Sequence, residues 1–199
     1  GEELWKLETG SSVISSPAIA NDTIYVGSND GGIYAVDAQS GEGLWVFGTG
    51  GRILSTPAVI DGTVYVGSTD NTLYALDAED LELQWAFETG DSIYYSSPAV
   101  ADGLVYVGSD DETFYAVDAE SGTEVWRIET EDDITTSPAV ASGIVYFSTE
   151  AGLVYAADAR DGTVRWTHQL DHEFVTASPV PADGVLYISD YNGTLYALE

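Results

Sequence analysis

Residues 45–84, WVFGTGGRILSTPAVIDGTVYVGSTDNTLYALDAEDLELQ, form one complete unit, and the rest of the chain is made of variations on it. Related segments begin at Trp5, Trp85, Trp126 and Trp166, so successive tryptophans lie 40, 40, 41 and 40 residues apart. Self-similarity at a fixed period of this size marks a repeat architecture in which no unit buries its apolar face alone. Within the quoted unit, runs rich in Val, Ile and Tyr alternate with turn residues. That pattern predicts four strands, A to D, over 52–60, 63–68, 72–77 and 82–89.

Strand A carries a recurrent proline, at Pro17, Pro57, Pro98, Pro138 and Pro179. Proline cannot donate to a ladder, so A is expected at a sheet edge, innermost beside a central channel. Asp61-Gly62, Asp102-Gly103, Ser142-Gly143 and Asp183-Gly184 follow, with Asn21-Asp22 in the same place, and such dipeptides supply the positive φ of a two-residue hairpin. Strands B (VYVGS and relatives) and C (LYALD and relatives) are apolar at nearly every position, so both faces must be covered. Gly41, Gly122 and Gly162 close the C–D loops, whereas the second repeat has Leu81 there and its loop is expected to differ. Each D-strand tryptophan is expected to wedge the seam between neighbouring units.

Five such units make an all-β fold, a propeller of five four-stranded antiparallel blades in a single domain spanning 1–199. Residues 1–9 read as a D strand, and the chain stops at Glu199 after a C strand. Pairing of 1–9 with 194–199 is therefore expected to complete the last blade and close the ring. A closed ring implies a monomer, and an open one implies self-assembly through the unpaired blade edges.

Thirty-four acidic residues face five basic ones, for a formal net charge of −29. Nucleic acid is excluded as a partner because it requires a basic face. Spread over about 9,000 Å² of folded surface, the carboxylates lie roughly 16 Å apart, and the Debye length falls from about 10 Å at 0.1 M salt to about 3 Å at 1 M. Such a surface is that of a halophilic, acidic protein whose stability rises with salt. No cysteine is present, which removes disulfides and thiolate chemistry. No apolar run is long enough to span a bilayer, so membrane insertion is not expected.

The W-x-[FL]-x-T-G, S-[ST]-P-A-V, DG-x-V-Y-V-G-S and L-Y-A-[VL]-D-A-x-x-G pieces resemble the repeats of the PQQ-like, quinoprotein-dehydrogenase-like β-propeller superfamily, which includes BamB-like assembly lipoproteins. The resemblance covers the whole chain; the Gly-His and Trp-Asp marks of WD40 repeats are missing. It implies a propeller usually built of seven or eight blades. In its enzymes the quinone is held against a tryptophan and adjacent cysteines, with calcium and an aspartate base nearby. This chain has no cysteine, and its five tryptophans hold the repetitive seam position, so no catalytic residue and no PQQ are expected.

Asp37, Asp77, Asp118 and Asp158 recur at one position and are read as turn caps, with no metal site assigned. The acidic B–C loops match no EF-hand, and only weak Ca²⁺ binding is expected of them. His168 and His172 lack a third ligand for zinc. Positions that differ between repeats cannot all serve the shared scaffold. Counting back from the prolines, Ser12, Arg52, Ile93, Asp133 and Phe174 stand five before, and Ile14, Leu54, Tyr95, Thr135 and Thr176 three before. Alternation puts both sets on one face, with Val13, Ile53, Tyr94, Ile134 and Val175 on the other. Arg52, Tyr95, Asp133, His172 and Phe174 are the candidate ligand or partner surface.

The function expected is a non-catalytic scaffold for protein binding or assembly, in high salt, extracellular or at the cell surface. The alternatives are a multivalent glycan-binding propeller, a dehydrogenase fragment using PQQ, and a hydrolase with paired carboxylates. The last is disfavoured because near-equivalent blades supply no single distinctive acid pair.

Overall fold

The computed structural model describes residues 1–171, 175 and 177–199. The described residues contain strands and turns and no helix, arranged as five antiparallel sheets that are the blades of a β-propeller. Blade 1 comprises β1 (Ala18–Ala20), β2 (Thr23–Gly27), β3 (Gly32–Asp37) and β4 (Gly43–Gly48); blade 2 comprises β5 (Ala58–Ile60), β6 (Thr63–Ser68), β7 (Thr72–Asp77) and β8 (Leu83–Glu88). Blade 3 is β9 (Ala99–Ala101), β10 (Leu104–Gly108), β11 (Thr113–Asp118) and β12 (Glu124–Glu129), and blade 4 is β13 (Ala139–Ala141), β14 (Ile144–Ser148), β15 (Leu153–Asp158) and β16 (Val164–Gln169). Blade 5 holds β17 (Val180–Ala182), β18 (Val185–Ser189) and β19 (Leu195–Leu198).

Each blade pairs its strands in chain order. The A–B turns have the expected left-handed backbone, with φ of 48° and 80° at Asp61 and Gly62 and of 48° and 62° at Asn21 and Asp22. A recurrent bulge interrupts the C–D pairing, as between Ala75 and Leu76, and adds twist to the outer strand.

Two expectations need correction. Strand A does not run over 52–60: it begins at the residue after the proline and is three residues long. Pro57 offers no N–H, and the residues before it bond elsewhere, Arg52 N to Thr69 Oγ1 (2.8 Å) and Ile53 N to Ser28 O (3.1 Å). The last sheet has three strands, β17-β18-β19, where four were expected, and residues 1–9 carry no strand.

By their contacts the residues divide into two compact units, Gly1–Tyr94 and Tyr95–Glu199. In the first, β1 lies beside β5, and Ser16 N donates to Thr56 Oγ1 (3.3 Å). The core between blades 1 and 2 gathers Tyr25, Ile33, Ile53, Val64, Val66, Leu76 and Leu81. In the second unit β13 lies between β9 and β17, and Phe114 stacks on Phe147 at 3.9 Å between ring centroids. Apolar B and C strands thus find their second face on the next blade.

The glycine of the VYVGS strand makes this close approach possible. A Cβ on Gly27, Gly67 or Gly108 would lie 2.2 Å from Cγ2 of Ile53, Ile93 or Ile134, all of them fully buried.

Candidate functional site

The loops at the end of the blades where B turns into C are held by a repeated polar clip. Asp30 Oδ2 accepts from Tyr34 Oη (2.7 Å) and from Gly10 N (2.6 Å), while its Oδ1 accepts from Gly32 N (2.8 Å). Asp70 takes Tyr74 Oη (2.8 Å) and Gly50 N (2.6 Å), Asp111 takes Tyr115 Oη (2.7 Å), and Asp190 takes Tyr196 Oη (3.1 Å). In the first three blades the aspartate and tyrosine stand four residues apart at the mouth of a hairpin and fall on one face, and in blade 5 they stand six apart, so the clip is local in sequence. Partial burial pushes the Asp30 carboxyl up, but the bonds from Tyr34, Gly32, Gly10 and Ser28 together hold it below the usual carboxylate range. Burial and the bond to Asp111 push the Tyr115 phenol up to about 12.

Blade 4 replaces the clip. Ala151 stands in the aspartate position, and Asp132, from the preceding D–A loop, accepts the Ala151 N–H instead. The threonine following three of the D strands latches the same loops: Thr49 Oγ1 donates to Gly31 O (2.9 Å), Thr89 Oγ1 to Asn71 O (2.9 Å) and Thr130 Oγ1 to Glu112 O (2.8 Å).

At the opposite end, the recurring aspartates after strand C cap their own turns. Asp37 Oδ1 accepts from Ser40 N and Oγ (both 2.7 Å), Asp118 Oδ1 from Ser121 N and Oγ (both 2.8 Å), and Asp158 Oδ1 from Arg160 N (3.0 Å). These bonds hold all three carboxyls below the usual range, Ser40 acting on Asp37, Ser121 on Asp118, and Arg160 and Arg165 on Asp158. Asp77 Oδ1 caps in the same way through Glu79 N (2.7 Å).

Seam tryptophans rest on the C–D loop of the following blade. A Cβ at Gly41 would sit 2.5 Å from the Trp5 ring and one at Gly162 2.7 Å from the Trp126 ring. Trp5 Nε1 donates to Ala38 O (3.1 Å) and Trp126 Nε1 to Ala159 O (3.2 Å). The blade 1–2 seam differs. Ala78 O accepts from Tyr25 Oη (2.6 Å) as Ala159 O does from Tyr106 Oη (2.8 Å), but Leu81 takes the glycine position at φ 58° and is buried, and Trp45 is 51% exposed. No sequence feature identified Trp45 as distinct, although Leu81 in place of glycine was the available signal.

Of the candidate surface residues, Arg52 is exposed and lines a shallow cavity of about 410 Å³ with Asn29, Asp30, Thr49, Gly50, Gly51 and Thr69. Tyr95 is 44% exposed and Asp133 half-buried, and neither lines that cavity. His172 and Phe174 lie outside the described residues, as does Thr176. Counting from the prolines misplaces the third repeat. Ile93, not Tyr94, packs on the B-strand glycine as Ile53 and Ile134 do, so the extra residue of the 41-residue spacing lies at Tyr94–Tyr95. Ile93 is fully buried and belongs to no exposed set.

A second cavity, of about 290 Å³, lies between blades 4 and 5 beside Tyr146, Trp166, Pro181 and Val185. Among the described residues no three acidic or histidine side chains converge as metal ligands. Trp5 and Trp126 donate to backbone carbonyls, and the repeated aspartates after strand C accept from their own turns.

The family described as outer membrane protein assembly factor BamB matches residues 1–110 and 110–199. No curated protein matches the chain in sequence. Among solved structures, BamB from Moraxella catarrhalis superposes with a TM-score of 0.84 at 21% identity, over 98% of this chain and 60% of that one. The quinohemoprotein alcohol dehydrogenase ADHIIG from Pseudomonas putida HK5 gives 0.80 at 20% identity, over 97% of this chain and 41% of that one. The computationally designed Ika8 protein gives 0.72 at 20% identity, over 100% and 74%. The chain thus spans about three fifths of the length of that BamB, and these likenesses establish the fold.

Proposed function

Because the chain belongs to the BamB family of PQQ-like β-propellers, we propose that it is a non-catalytic scaffold that binds other proteins, working in a high-salt environment outside the cytoplasm. The observation that carries this reading is the match of the assembly-factor family along the whole chain. The site geometry supports it. Among the described residues the recurring carboxylates, the hydroxyls and the Trp5 and Trp126 indoles bind loops and seams, which favours a framework role over a catalytic one.

The charge supports the high-salt setting. Five basic residues, of which Lys6, Arg127 and Arg165 are in ion pairs, cannot balance 34 carboxylates. At about 2 M KCl the repulsion among them is screened within a few ångströms. The test is co-precipitation from envelope proteins of the source organism at about 2 M KCl, with quantified stoichiometry. A defined protein retained at fixed stoichiometry supports the scaffold. Binding of nothing but glycan, or a higher thermal midpoint at about 0.1 M than at about 2 M KCl, contradicts it.

A further inference from the structure

Among the four-stranded sheets the outer strands are protected by charge, with one exception. β8 carries Glu88, β12 carries Glu124, Arg127 and Glu129, and β16 carries Arg165, whereas β4 reads Gly-Leu-Trp-Val-Phe-Gly. Charged side chains on an edge strand block its pairing with another chain, and β4 has none. It lies at the edge of its sheet, with Leu44, Trp45 and Val46 all exposed. Trp45 faces solvent because Leu81 fills the seam position described above.

We propose that β4 is a self-association surface on which a second copy of this chain pairs, edge to edge and antiparallel, about a two-fold axis at Val46. The backbone fixes the register. Thr49 N donates to Gly31 O, and alternation from that pair along the β3–β4 ladder turns the peptide groups of Val46 and Gly48 away from β3. An antiparallel two-fold pairing therefore sets Val46 opposite Val46 of the second copy and Trp45 opposite Phe47. The latter is an aromatic cross-strand pair of the kind that stabilises sheets.

Electrostatics selects the occupant and the condition. Two molecules of charge −29 repel everywhere except where neither contributes a charge to the contact, and β4 is such a place. A Debye length of about 10 Å keeps the copies apart in dilute salt, and one of about 3 Å or less allows a six-residue ladder to form. One short ladder is a small interface, so the dimer is a weak one. The inference is independent of the partner-binding reading, since it concerns a surface used between identical chains.

The chain lacks cysteine, so a single introduced thiol reports the contact. Directly opposed residues in a hydrogen-bonded pair have Cα atoms about 5.5 Å apart, within disulfide reach of about 4.4–6.8 Å. Val46→Cys is expected to oxidise to a covalent dimer at about 2 M KCl on the order of tenfold faster than at about 0.1 M, and tenfold faster than Val125→Cys on β12. Sedimentation of the unmodified chain should show a salt-induced dimer that Val46→Lys weakens about tenfold at unchanged circular dichroism. Equal oxidation of the two cysteine variants, a monomer at every salt concentration, an open-ended series of larger species, or association indifferent to Val46→Lys would each overturn the proposal.

Discussion

Leu81 holds the place in blade 2 that glycine holds in blades 1 and 4, and Trp45, which would otherwise cover it, stands 51% exposed. A branched side chain at φ 58° is strained, and it is retained here by burial in the core beside Tyr25 and Val64. The two residues exchange burial. Trp126 is 8% exposed over Gly162, while Leu81 is 3% exposed and its neighbour's tryptophan is not covered.

Unequal burial makes the tryptophans unequal in stability. Trp126→Ala removes a buried ring and its bond to Ala159 O, and is expected to cost about 3–5 kcal/mol. Trp45→Ala is expected to cost about 1 kcal/mol or less. Urea unfolding of both variants at high salt decides the matter, and equal losses would show that Trp45 is seated like the others.

The first A–B turn is the only one of the five with two non-glycine residues at positive φ, Asn21 and Asp22. Asp22→Gly supplies the residue found in the other four turns and is expected to stabilise by about 0.5–1 kcal/mol. A thermal midpoint that falls would place some further role on the Asp22 carboxylate.

Close approach at the B-strand glycine gives a sharper contrast. Gly67→Ala forces a methyl to within 2.2 Å of Ile93 Cγ2 and is expected to cost about 1–3 kcal/mol or more. Gly48→Ala, on the edge of blade 1 with nothing within 4 Å of the added carbon, is expected to change stability by less than about 0.5 kcal/mol. Denaturant midpoints of the pair measure the difference.

Much of this fold was legible because the recurring residues act locally. Pro57 marks where a strand can begin, Asp61-Gly62 can only turn, and the aspartate of each C–D loop reaches N–H groups two or three residues on. Errors arose where one residue's placement depended on another far along the chain. Counting from Pro98 assigned Tyr94 to the buried position, but the buried residue is whichever side chain meets Gly67, and that is Ile93. The extent of strand A was overestimated because 52–56 form no ladder: Ile53 N bonds to Ser28 O of the preceding blade, while Arg52 N and Ser55 Oγ bond to Thr69 Oγ1 and Gly67 O of their own. The Asp30–Tyr34 clip was written in the four-residue spacing repeated at Asp70–Tyr74 and Asp111–Tyr115, yet it was read there as loop acidity. Of the candidate surface, only Arg52, Tyr95 and Asp133 fall among the described residues, and single variable positions carry no periodicity by which to judge them.

Titration should expose the clips and turns. Burial and the charges of Asp102 and Asp158 push Tyr106 up to about 12, and burial with the Asp111 bond does the same for Tyr115. Raised phenol values mean stability that is complete below the ordinary tyrosine value of about 10 and is lost as pH rises from there toward 12. Depressed carboxyls at Asp37, Asp118 and Asp158 work in the opposite sense. Their contribution is present above the usual value of about 3.9 and is lost as pH falls through their own lower values. Thermal midpoints should therefore plateau between about pH 5 and pH 9, and Tyr115→Phe should flatten the alkaline limb. An unaltered alkaline limb in that variant would remove Tyr115 from the account.

The claim that the shared residues build a scaffold and not a cofactor site is tested most directly by titrating pyrroloquinoline quinone with Ca²⁺ into the protein at high salt. Tryptophan fluorescence and dye-linked alcohol oxidation are followed together. The account predicts no saturable quenching and no turnover. Stoichiometric quenching accompanied by oxidation of the alcohol would contradict it.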